Sequence, residues 1–87
     1  MNRIDLIIDI IVNDIIKNNE RYLKNGFTIF LNGDEIEIDY KDKIYFLTIH
    51  EENNNIFWLI KCNEKIMKLK ITDNFDEVLD FIINSIN

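Results

Sequence analysis

Apolar residues along the chain keep a spacing of three and four from Ile4 to Tyr22, switch to a period of two after Phe27, and return to three and four from Phe75. The first and last periods are those of a helix and the middle one is that of a half-buried strand. In the first segment, residues 3–24, Ile4, Ile7, Ile8, Ile11, Ile15 and Tyr22 form the stripe, and Leu6, Ile10, Val12 and Ile16 widen it. A stripe that broad predicts a helix covered on more than one side, with Asp5, Asp9, Asn13 and Lys17 as a narrow wet edge. Asn25-Gly26 follows as a stop signal, because glycine tolerates the left-handed conformation that closes a helix. Isoleucine is a middling helix former, so packing rather than propensity has to hold this segment.

Five alternating runs follow, at 27–31, 35–40, 43–50, 56–62 and 65–71. Asn32-Gly33 is the strongest hairpin signal, since a type I′ turn needs positive φ at both central residues. Lys41-Asp42 and Asn63-Glu64 are weaker two-residue candidates, and 51–55 (Glu-Glu-Asn-Asn-Asn) reads as a longer polar loop. No connection is long enough for a parallel crossover, so the strands should form an antiparallel meander. In the last segment Phe75, Val78, Leu79, Ile82, Ile83 and Ile86 complete a second apolar stripe. Asn74 with Glu77 resembles a capping box, and Asp73, Asp76 and Glu77 suit a helix N-terminus electrostatically. The fold class is α+β: an N-terminal helix, a five-stranded antiparallel meander and a C-terminal helix in a single domain, residues 1–87, with both helices on one face of the sheet.

Closing the three tight turns writes the pairing. Ile29 faces Ile36, Ile36 faces Leu47, Ile38 faces Tyr45, Trp58 faces Leu69, and Ile60 faces Met67. All fall on one face with Phe27, Ile49, Ile56 and Ile71, and three hairpins agreeing on one inward set supports the topology. The other face carries an acidic ladder (Glu35, Glu37, Asp39), a basic one (Lys61, Lys68, Lys70), and Phe46, Phe57 and Leu59 between them. Two readings stand. An apolar centre with charged flanks has the makeup of a protein-contact surface; alternatively the sheet curls and buries that centre, since aromatic residues favour strands in any case.

Charge and composition then narrow the function classes. Sixteen acidic against ten basic residues leave a net charge of −6, which argues against direct binding of nucleic acid. Residues 72–87 carry Asp73, Asp76, Glu77 and Asp80 with no basic residue, and 34–52 carry seven acidic against two basic. Together these stretches would offer a negative surface able to compete for a basic groove on a partner, or serve as solvated, solubilising faces. Acidic residues interrupt the N-terminal apolar segment too often for a signal peptide or bilayer span, so a cytoplasmic protein without membrane contact is expected. The single cysteine, Cys62, excludes an internal disulfide and fits a reducing compartment. His50 has no second histidine to complete a metal site, and two glycines cannot build a phosphate-cradling loop. No cofactor, metal or catalytic residue is therefore expected, and the chain reads as non-enzymatic.

In length, acidity, AT-rich codon bias and α/β meander layout, with acidic stretches at 34–52 and 72–80, the chain resembles the small anti-CRISPR proteins of phages and mobile elements. That resemblance implies no catalysis and direct binding to a CRISPR effector, blocking nucleic-acid entry. Lys61, Lys65, Lys68 and Lys70 depart from a purely nucleic-acid-like surface. Two other readings share the composition: an immunity protein that neutralises a basic toxin, and a homodimer that pairs its open sheet faces. The expected contact residues are Glu35, Glu37, Asp39, Phe46, Phe57, Leu59, Asp73, Asp76, Glu77 and Asp80.

Overall fold

The structure, a computed structural model, describes residues 3–72 and 74–86; Asp73 and the side chain of Ile86 lie outside it. The elements run α1 (Arg3–Lys24), β1 (Thr28–Asn32), β2 (Glu35–Tyr40), β3 (Lys43–Glu52), β4 (Asn55–Cys62), β5 (Lys65–Lys70) and α2 (Asp76–Ile86). The strands form one antiparallel sheet in sequence order, β1-β2-β3-β4-β5. Ile38, Leu47 and Ile60 on one face are fully buried with Ile82 of α2. Ile11, Ile15 and Tyr22 of α1 and Phe75, Val78 and Leu79 beside or within α2 join the same core. Both helices therefore cover one face, as the pattern predicts.

The helix ends follow from local chemistry. Gly26 adopts φ 91°, its N–H donating to Leu23 O while the Phe27 N–H donates to Tyr22 O, both at 3.0 Å. This is the Schellman closure, and it turns the chain straight into the sheet. At the start of α2, Asn74 Oδ1 accepts from the Asp76 N–H at 3.1 Å. Glu77 does not reach back to Asn74, as a capping box would have it. Its carboxylate accepts from the Thr72 hydroxyl at 2.7 Å, and that hydroxyl accepts from the Asn74 N–H at 3.2 Å. Threonine is thus inserted between the two members of the box.

Three further expectations are corrected. First, α1 is covered on one side only: Leu6 and Ile10 are each 54% exposed and Ile16 is 62% exposed. The sheet offers a single surface to cover it, and α2 fills the remainder of that surface. Second, the β1–β2 turn centres on Gly33-Asp34, with Asn32 paired to Glu35. Glycine takes the one positive φ, 63°, at the first central position. Ile29 consequently faces Ile38 and Leu31 faces Ile36. Moving the turn by one residue moves each partner by two, so the inward set survives. The gain from the shift is the ring of Phe27 stacked on Tyr40, centroids 4.3 Å apart. Third, 51–55 is no long loop. Glu52 pairs with Asn55 around a tight Asn53-Asn54 turn, with φ 51° and 66°, values asparagine accepts more readily than most residues.

Candidate functional site

The face of the sheet turned away from both helices holds the side chains of interest. Strand periodicity places Glu35, Glu37 and Asp39 on β2, Ile44, Phe46 and Thr48 on β3, Phe57, Leu59 and Lys61 on β4, and Ile66, Lys68 and Lys70 on β5. Cross-strand pairing aligns Phe30 with Glu37, Glu37 with Phe46, Phe46 with Lys61, and Lys61 with Ile66. One row across all five strands therefore reads apolar, acidic, aromatic, basic, apolar. Phe30, Ile44 and Ile66 are 45%, 47% and 65% exposed, respectively, while Phe46, Phe57 and Leu59 are half-buried among their neighbours. The sheet does not curl to bury this centre: the helices and the core lie on the other side.

The two charged ladders behave differently. On the basic side, Lys68 Nζ lies 2.9 Å from Glu52 Oε2 and 5.7 Å from the centroid of the Phe57 ring. Its hydrogen bond and charge hold the Glu52 carboxyl below the usual range. On the acidic side, Glu35, Glu37 and Asp39 make no ion pair among the described residues. Hydrogen bonding to Asp39, then desolvation and the charges of Asp39 and Glu35, raise the Glu37 carboxyl above its usual range. Oδ1 of Asp39 is buried without a hydrogen-bond partner. Lys61 and Lys70 likewise make no ion pair among the described residues.

The expected contact residues separate into two groups. Glu35, Glu37, Asp39, Phe46, Phe57 and Leu59 share the open face. Asp76, Glu77 and Asp80 belong to α2, on the opposite side of the sheet, so they do not form one negative surface with β2. Asp76 is in addition bound to Arg21 Nη2 at 3.1 Å. Asp73 lies outside the described residues. Phe30, Ile44 and Ile66 share the open face as well, and sequence reasoning did not single them out. Their exposure depends on what the helices leave bare, and register alone does not report it.

The remaining chemistry is dispersed. His50 is exposed, 3.5 Å from Glu52 Oε2, and pairs across from Phe57, on the face opposite the buried Cys62. A thiol–imidazole pair is therefore not assembled. Cys62 borders an open hollow of about 500 Å³ that also involves Lys43, Tyr45, Lys65, Met67 and Ser85. Burial raises the Tyr45 phenol above its usual range. Among the described residues, no group of three or more His, Cys, Asp and Glu side chains is placed to hold a metal ion, and no helix is long and apolar enough to cross a membrane. No protein-family model, curated protein or solved structure matches the chain.

Proposed function

We propose that the protein is non-enzymatic and works by binding protein through the open face of its sheet, as an anti-defence inhibitor that occupies a nucleic-acid-handling effector in the bacterial cytoplasm. The observation that carries the reading is the uncovered apolar centre around Phe46, set between the carboxylates of Glu35, Glu37 and Asp39 and the ammonium groups of Lys61 and Lys70, none of which makes an ion pair among the described residues. Apolar centres rimmed by unpaired charge are characteristic of protein-contact surfaces. The acidic ladder on β2 suits a partner surface rich in lysine and arginine, which is what a nucleic-acid groove offers.

The test is affinity capture with tagged protein from lysate of a bacterium carrying an active defence nuclease, followed by a cleavage assay on the captured complex. Wild type should retain the nuclease and suppress cleavage, and Phe46→Asp should fold but release it. Capture that survives Phe46→Asp and fails with Asp76→Lys/Asp80→Lys would move the contact to α2. A secreted-toxin domain in the eluate would instead place the protein among immunity proteins.

A further inference from the structure

The row through Phe46 has a symmetry of its own. Counted outward from β3, acidic Glu37 on one side is matched by basic Lys61 on the other, and apolar Phe30 by apolar Ile66. A twofold axis running along β3 and lying against the open face would exchange β2 with β4 and β1 with β5. It would set Glu37 on Lys61 of a second copy, Phe30 on Ile66 of that copy, and Phe46 on its own equivalent. In the neighbouring row Glu35 would meet Leu59 of the second copy, one strand from Lys68 of that copy. An axis across the strands would do the reverse, laying β2 on β2 and carboxylate on carboxylate. Charge therefore selects one of the two ways in which the face can meet itself.

We propose that the open face is the interface of an isologous homodimer, two sheets packed face to face about a twofold axis along β3, with Glu37 of each copy paired to Lys61 of the other. The inference rests on the reading of this face as a protein-contact surface, and it names a second copy as the occupant of the face in place of an effector. Strands about 4.8 Å apart and 20 Å long make a face of roughly 24 by 20 Å. Two such faces bury on the order of 1,000 Å², the lower limit for a specific interface. The dimer interface is accordingly a modest one. Aligned sheet packing accommodates it, since the mean strand directions of the two copies stay within about 30° of each other. Asp76, Glu77 and Asp80 of each copy then lie on the outer sides, away from the axis. The like-charge crowding that raises Glu37 would be relieved by the ammonium group brought to it from the second copy.

Sedimentation equilibrium over a wide concentration range provides the test, with the charge-reversed variants Glu37→Lys and Lys61→Glu. Each variant alone should self-associate roughly a hundredfold more weakly than wild type, because like charges then face each other twice across the axis. An equimolar mixture of the two should recover wild-type affinity, since every contact in the mixed dimer again joins opposite charges. Circular dichroism on each variant checks that it is folded. A wild-type chain monomeric at all concentrations overturns the dimer and leaves the open face to an effector. A dimer indifferent to both reversals, or a mixture that fails to recover, overturns this geometry. Unfolding of both Phe46→Asp and Phe46→Ser would show Phe46 to be core, overturning the dimer and the contact-face reading together.

Discussion

The two faces of the sheet share every strand and every backbone hydrogen bond, yet they are different surfaces. On one, Ile38, Leu47 and Ile60 are fully buried under two helices. On the other, Phe30, Ile44 and Ile66 meet solvent and the charged residues sort into an acidic and a basic side. A one-sided antiparallel sheet normally alternates apolar and polar residues, and here the outer positions of β3 and β4 break that rule. Secondary structure alone therefore does not account for the aromatic centre. Aromatic residues favour strands in any case, but an uncovered cluster of them beside charged residues is also the makeup of a contact surface.

The largest effect should come from the covered face. Ile60→Ala or Leu47→Ala should cost about 3–4 kcal/mol in urea unfolding, through lost transfer energy and an unfilled cavity. Phe46→Ala on the open face should cost about 1 kcal/mol at concentrations where the chain is monomeric. Equal costs would erase the difference between the faces.

A second effect of the covered face depends on pH. The hydroxyl of Tyr22 is buried without a hydrogen-bond partner, and burial, reinforced by Asp14 and Asp76, pushes its pKa up to about 12. The unfolded chain releases that proton near pH 10 and the folded chain holds it to about pH 12. Stability is thus whole below about pH 10 and falls by about 2.5 kcal/mol as the pH climbs to about 12. Tyr22→Phe should remove this share of the fall, leaving the part due to the raised Tyr45 phenol, and be neutral to slightly stabilising at pH 7, because it removes an unsatisfied buried group.

Smaller still are effects at the hairpin ends and on the open face. Lys41 and Asp42 hold φ of 49° and 65°, so Asp42→Gly should raise the unfolding free energy by about 1 kcal/mol. On the open face the two ladders should titrate in opposite directions. Glu37, raised, should lend more stability as pH falls through the carboxylate range, and Glu37→Gln should capture that gain at pH 7. Glu52, lowered by Lys68, should lose its contribution over the same fall in pH. Side-chain carboxyl shifts followed by NMR would separate the two, and a common pKa would remove the contrast between the ladders. The exposed Lys68–Glu52 pair is screened by water, so Lys68→Met should leave the thermal midpoint almost unchanged.

The sequence by itself determined which residues face inward. A strand repeats every two residues, so parity along each run separates Ile36, Ile38, Tyr45, Leu47, Trp58 and Ile60 from Glu37, Phe46 and Lys61 whatever the turns do. That is why the β1–β2 turn could move by one residue without disturbing the core. Tertiary structure decided the rest, because the rest depends on distant surfaces. The register of the first hairpin is the one that stacks Phe27 on Tyr40 across the sheet. The width of the apolar stripe on α1 could not reveal that the sheet would cover one side of it, leaving Ile16 and Leu6 bare. The acidic residues of β2 and α2 read as one surface in a linear chain. The connection from β5 lays α2 on the covered face, and the two groups end on opposite sides of the sheet.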